Sequence, residues 1–383
     1  MDLLPATDPR RLELLLDLGL ALAQSDIPRA EAVLTEAIEG ARVVGDAVLE
    51  ARAGVRRVFV RMLLDPDIVQ IEALDEVEGY LARFEEWNDD LGLAETGSLI
   101  GNIRFWQGRA ADSETHFERA LEHAGRAGDR RVEAEILRRW AIAIDQGPTP
   151  AVEGLRRLAA VLEQSHGDRK VEIGVTRARA GLEALSGRFP EARELLAHAK
   201  ALARELGDQV ALAAVFRDAG RVETLAGDPV AAEALDRAAF DILERISDRG
   251  HLASAAPDLG DAMYAQGRYD EAAAIAEYAE RLTIEGDVDA QVRGTQLRAK
   301  VLAQRGRFEE ALPASEDAAR LAAGTDYLEL HAHALMSKAE VLRLAGRPEG
   351  AASALRDAIE LHRRKGNVVD EARATALLEE LGS

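Results

Sequence analysis

The chain has 383 residues, 31% of them charged, with a net charge of −21, no cysteine and only 4% aromatics. The acidic balance excludes an ordinary nucleic-acid binder, and the missing thiols exclude disulfides, thiolate metal sites and cysteine nucleophiles. So few aromatics beside so much Ala and Leu argue against a β-sandwich or barrel and for closely packed helices.

No stretch reaches the ~18 apolar residues of a membrane span. The start, Met1-Asp2-Leu3-Leu4-Pro5, lacks the basic region of a signal peptide. The expectation is a soluble cytoplasmic protein without a membrane role.

Apolar residues recur at helical spacing along the whole chain, and a glycine interrupts them at a fixed step. From Gly108 the marks fall at Gly147, Gly187, Gly227, Gly267, Gly306 and Gly346, in steps of 39, 40, 40, 40, 39 and 40. Four carry nearly one phrase: Gly187-Arg188-Phe189-Pro190-Glu191-Ala192, Gly267-Arg268-Tyr269-Asp270-Glu271-Ala272, Gly306-Arg307-Phe308-Glu309-Glu310-Ala311 and Gly346-Arg347-Pro348-Glu349-Gly350-Ala351. A second mark lies between them: Gly45-Asp46, Gly128-Asp129, Gly167-Asp168, Gly207-Asp208 and Gly286-Asp287. A repeat of this size means stacked helical units, each packed mainly on its neighbours. The glycine ends a helix in the left-handed conformation, and the Asp that follows a glycine caps the next helix.

In chain order the pattern predicts nine helical hairpins in one array over 1–383, at 9–44, 46–87, 90–127, 129–166, 168–206, 208–247, 250–285, 287–323 and 326–365. A single helix at 368–381, acidic through Glu371, Glu379 and Glu380, closes the array as a solvent-facing cap. Asp65-Pro66-Asp67 and Gly147-Pro148-Thr149-Pro150 fill the turns of the second and fourth hairpins.

These residues resemble the tetratricopeptide-repeat (TPR) family. Leu18-Gly19, Ala30 and Ala37 match its pattern in the first unit. So do Ile100-Gly101, Gly108, Phe117 and Ala120 in the third, and Leu259-Gly260, Gly267, Ala272 and Ala279 in the seventh. Gly306, Ala311 and Ala318, then Gly346, Ala351 and Ala358, continue it. The resemblance implies an all-α, right-handed solenoid of long-period hairpins. More narrowly, phrases such as Gly101-Asn102-Ile103-Arg104-Phe105-Trp106 look like the C-terminal array of bacterial multidomain adenylate/guanylate cyclases. No nucleotide chemistry is carried over from that likeness.

Catalytic signatures are missing. There is no Gly-x-Gly, no Gly-Lys pair and no Gly-x-Ser-x-Gly. His331 and His333 stand about 200° apart on a helix, a poor chelate, and no third His lies nearby in sequence. The reading is a non-enzyme with no cofactor and no metal.

The family pattern places the first helix of each hairpin on the concave side and marks the positions that face the groove. They are Asn102, Phe105 and Trp106; Arg177; Arg217 and Arg221; Asp261 and Tyr264; Arg293, Gln296 and Lys300; and His333, Glu340 and Arg343. Six cations against two anions predict a mildly positive groove inside an acidic shell. Such a groove suits a protein or acidic-peptide partner, or a small anionic ligand, held by a monomeric interaction scaffold. The alternative is a ligand-sensing regulatory module of a larger signalling protein, a class III cyclase with an ATPase module. A second alternative reading of the cations is that they pair with carboxylates of adjacent helices.

Overall fold

The structure, a computed structural model, describes residues 4–5, 7–23, 26–64, 72–283 and 287–382. The expected turn at Asp65-Pro66-Asp67 lies outside them. The described residues form nineteen helices and no strand. In chain order these are α1 (Pro9–Leu22), α2 (Ile27–Val44), α3 (Ala47–Leu64), α4 (Glu72–Trp87), α5 (Asp90–Trp106), α6 (Ala110–Ala127), α7 (Arg130–Gln146), α8 (Ala151–Gln164), α9 (Arg169–Leu185) and α10 (Phe189–Leu206). Then come α11 (Gln209–Ala226), α12 (Pro229–Arg245), α13 (Arg249–Ala265), α14 (Tyr269–Leu282), α15 (Val288–Gln304), α16 (Phe308–Ala323), α17 (Leu328–Leu344), α18 (Pro348–Lys365) and α19 (Val368–Gly382). The all-α fold class is therefore observed among the described residues, and it is consistent with the expected α-solenoid.

The punctuation acts as its chemistry requires. Gly207 ends α10 at φ 67°, and Gly227 ends α11 at φ 83°, a backbone that side chains with a Cβ rarely adopt. Asp208 then accepts a hydrogen bond from the Ala211 amide at 2.9 Å, and Asp168 from the amides of Lys170 and Val171 at 2.8 and 3.0 Å. Gly147 differs from the other marks, because its backbone is not left-handed; Pro148 to Pro150 make that turn instead. None of the helices is long and apolar enough to cross a membrane.

The chain divides into two compact units. One holds residues 1–107 and 112–137, the other 108–111 and 138–383. In the first unit Val55, Val58, Val77, Phe84, Ile100 and Ile103 form a buried cluster. In the second the core is continuous from α9 to α15, through Leu196, Val215, Leu243, Leu259, Met263 and Leu297. There each first helix packs on its own second helix and on the first helix of the next hairpin. This is the arrangement that lets an array bury apolar surface without a central core.

The second unit also returns on itself. Lys365, at the end of α18, is fully buried, and its ammonium donates to the carbonyls of Asp145 at 2.6 Å, Gly147 at 2.7 Å and Thr149 at 3.0 Å. Arg373 of α19 donates to the Leu225 carbonyl at the end of α11 at 3.2 Å, and α19 packs on α9. The last helices of the unit thus sit on the ends of α7 and α11, which come some 150 to 220 residues earlier.

Candidate ligand-binding face

The second unit carries a lattice of charged side chains on its first helices. Arg177 of α9 donates through Nε to Asp218 of α11 at 2.7 Å. One period on, Arg217 of α11 donates through Nε to Asp258 of α13 at 2.6 Å. Both pairs span 41 residues, so the same rung is built twice. Arg293 of α15 bonds Asp289 at 2.7 Å and Asp258 at 3.2 Å, and Lys300 bonds Asp261 at 2.6 Å.

Other contacts skip a hairpin. Arg217 reaches Asp289 at 3.5 Å, Tyr264 donates to Glu340 of α17 at 2.6 Å, and Arg221 stands 3.9 Å from Asp145 of α7. Side chains of alternate stacked helices meet only on the inner side of a curve. These contacts therefore identify the concave face of this unit.

The electrostatics follow from that crowding. Burial disfavours the charged form of Asp289, but Arg293 and Arg217 outweigh it and hold its carboxyl below the usual range. Burial and the Glu340 carboxylate both push the Tyr264 hydroxyl well up, so Tyr264 acts as a donor. The Lys300 ammonium also lies 4.8 Å over the Tyr264 ring. Asp145 is raised by burial against the opposing pull of Arg221 and Lys365.

Of the positions the sequence marked, the structure brings Arg177, Arg217, Arg221, Asp261, Tyr264, Arg293, Lys300 and Glu340 into this lattice. Gln296 is 4% exposed, and its side-chain oxygen has no partner among the described residues. Arg343 is exposed on α17. Asn102, Phe105 and Trp106 belong to the first unit: Asn102 is buried, Phe105 is half-buried, and Trp106 packs against the cluster around Phe84.

The expectation of a mildly positive groove is corrected. Arg177, Arg217, Arg221, Arg293 and Lys300 are faced by Asp145, Asp218, Asp258, Asp261 and Asp289, so the face is close to neutral. Counting only the family's groove positions missed Asp218, Asp258 and Asp289. Asp218 follows the marked Arg217 by one residue and Asp258 follows Asp218 by 40, so the repeat step carries the acid from one hairpin to the next.

Two buried features escaped the sequence reading. The ninth residue after each left-handed glycine of the 40-residue series is a core position, filled by Phe117, Leu196, Asp236, Ala276, Ser315 and Leu355, all buried. In the sixth hairpin this position is an acid. Asp236 is 2% exposed, its Oδ1 has no hydrogen-bond partner among the described residues, and it lies where a Cβ on Gly220 would fall 2.0 Å away. Burial, and then the charge of Asp258, raise its carboxyl well above the ordinary range.

The second feature is a polar cluster under α19. His333 meets Asp370 at 3.0 Å, His362 meets Glu329 at 3.1 Å, and Arg373 takes the other Asp370 oxygen at 2.7 Å. Donor atoms of His333, His362 and Asp370 lie within 4.8 Å of one another. The Asn367 amide stands between them, 3.1 Å from Asp370 Oδ2, 3.4 Å from His362 Nδ1 and 2.5 Å from Glu329 Oε2. The cluster is thus closed by its own hydrogen bonds, and it fastens α19 to α17 and α18.

Residues 171–245, which span α9 to α12, match the tetratricopeptide repeat family. No curated protein matches the sequence. Among solved structures, a Rap protein complexed with competence and sporulation factor is similar over 93% of this chain and 99% of its own, at 18% identity and a TM-score of 0.71. Aspartyl phosphate phosphatase F from Bacillus subtilis is similar over 94% of this chain and 96% of its own, at 11% identity and a TM-score of 0.56. A signal transduction ATPase with numerous domains and a tetratricopeptide repeat sensor, from Pyrococcus horikoshii, aligns with 98% of this chain over 55% of its own length, at 18% identity and a TM-score of 0.50. At these identities the likeness is one of fold.

Proposed function

We propose that the chain is a non-catalytic regulatory scaffold that holds a peptide segment in the concave face of its second unit. The observation that carries this reading is the lattice itself. Charged and hydroxyl side chains of α9, α11, α13, α15 and α17 converge on one inner face, where backbone and side chains of an extended segment find both donors and acceptors. The similar Rap protein, solved with competence and sporulation factor, supports a binding role for this fold. The near-neutral face removes the electrostatic ground for preferring an acidic partner as a whole. The phosphatase named among the similar structures brings no residue correspondence at 11% identity, so no reaction is assigned here.

A second reading is a ligand-sensing module of a larger signalling protein, of the cyclase-with-ATPase kind. The similar signal transduction ATPase with its tetratricopeptide repeat sensor favours it, because this chain aligns with 55% of that protein's length.

The test is affinity selection from a synthetic random heptapeptide mixture, with retained peptides read by mass spectrometry and their footprint mapped by hydrogen exchange. Retention with protection of the inner faces of α9 to α17 is expected. No retention, or protection confined to the first unit, overturns the reading.

A further inference from the structure

The concave cations differ in what they are already committed to. Arg217 has Asp258 at 2.6 Å and Asp289 at 3.5 Å, Arg293 has Asp289 at 2.7 Å and Asp258 at 3.2 Å, and Lys300 has Asp261 at 2.6 Å. Drawing a ligand onto any of these breaks a short, half-buried ion pair and leaves a carboxylate behind, which is costly. Arg221 is different. Its ion contacts among the described residues are Asp145 and Asp218, each at 3.9 Å, beyond hydrogen-bond reach. Its side chain is 30% exposed, the most of the lattice cations. Arg177 flanks the same Asp218, which it holds through Nε at 2.7 Å.

Two guanidinium groups therefore stand either side of one carboxylate, one gripping it and one held only loosely. Gly181 of α9 leaves the room that the Asp145 carboxylate takes up: a Cβ there would fall 2.7 Å from Asp145 Oδ1. A planar fork of N–H donors with long contacts is suited to a second carboxylate, which it binds in a bidentate manner. Asp145 and Asp218 keep the surroundings from being strongly positive, so a single carboxylate fits better than a polyanion.

We propose that Arg221, assisted by Arg177, is the anchor that selects a carboxylate on the bound segment, either its C-terminus or one acidic side chain. This deepens the peptide-scaffold reading and rests on it. Arg217, Arg293 and Lys300 hold neighbouring hairpins together and contribute no such anchor.

The random heptapeptide selection is run on the full chain with peptides as free acids and as C-terminal amides, for the unsubstituted protein, Arg221→Gln and Arg293→Gln. Free acids, or Asp or Glu at one position, should be enriched, and Arg221→Gln should cut that retention about tenfold, as expected for one charge-assisted contact. The two mixtures tell a C-terminal carboxylate from a side-chain one. Arg221→Gln should unfold at the same temperature as the unsubstituted chain, whereas Arg293→Gln should unfold earlier. Retention with no preference for a carboxylate, or the same preference in Arg221→Gln, overturns the anchor and leaves the scaffold standing. No retention by the unsubstituted chain overturns both.

Discussion

Asp236 occupies a core position, and replacing it with leucine should stabilise the protein. In the hairpins before and three after, the matching residues are Leu196 and Leu355, 3% and 2% exposed. A leucine can lie over a helical glycine in this chain: Leu34 Cδ2 sits 2.6 Å from where a Cβ on Gly19 would be, as Asp236 sits over Gly220. Burying a leucine side chain is worth about 1.5–3 kcal/mol, and removing a buried acid without a partner adds about 1–3 kcal/mol. Imperfect fit takes back about 1–3 kcal/mol, so Asp236→Leu should gain about 2 kcal/mol near neutral pH. In a unit of this size that raises the melting temperature by about 4–8 °C. The gain also depends on pH. The folded state holds the Asp236 proton more tightly than the unfolded chain, whose carboxyl titrates near 3.8. Stability is therefore lost as pH rises from that value through the raised folded one, and the gap between variant and parent should widen from pH 4.5 to pH 8. Thermal unfolding followed by circular dichroism at both pH values measures it. A variant that melts below its parent, or a gap that does not change with pH, refutes the reasoning.

Lys365→Met should leave the carbonyls of Asp145, Gly147 and Thr149 without their donor and cost about 3 kcal/mol or more; hydrogen exchange should quicken at residues 144–149 and across α19 together. Lys365→Arg should fare little better, while Lys170→Arg, at an exposed site, should be neutral in the same measurement. Burial works against a charged His333, but Asp370 and Glu329 outweigh it and raise its folded value above 6.5. That contribution is complete below pH 6.5 and is lost as pH rises through the raised value, so protection of α19 relative to α9 should fall between pH 6 and pH 9, and His333→Gln should abolish the change.

The fold was legible because its signals are local and periodic. A turn glycine and a capping Asp act within a few residues, and Gly207, Asp208 and Gly227 do what their types require. The site was legible only in part. Arg217 and Arg221 were found because a known pattern marks their positions, but Asp218 and Asp258 share their face from neighbouring helical positions the pattern does not mark. Asp236 was hidden by its neighbours, since one acid among 69 carboxylates is conspicuous only when the ninth position after each glycine is compared across hairpins. Lys365 had no local signal at all, because its partners lie 216 to 221 residues away.

Lysine is scarce in this chain, with five lysines among 48 cationic residues, and two of the five take sites that arginine fits poorly. At Lys365 several carbonyls converge on one point, which suits a compact ammonium with donors in three directions and not a planar fork. At Lys300 the charge is set between the Asp261 carboxylate and the face of Tyr264. The geometry of the two sites explains these lysines. The Lys365 site also bears on binding. Asp145 accepts from Lys365 through its backbone carbonyl and faces Arg221 with its carboxylate. A ligand carboxylate on Arg221, as proposed, would compete with Asp145 for that guanidinium, and a shift of Asp145 would reach the ammonium that ties α18 to the end of α7. By reciprocity, a ligand that loosens this tie must bind more tightly, by the same factor, when the tie is already loosened. Lys365→Met should therefore change the affinity for a carboxylate-bearing peptide and leave that of an Arg221→Gln background unchanged; an equal change in both would separate the tie from the anchor.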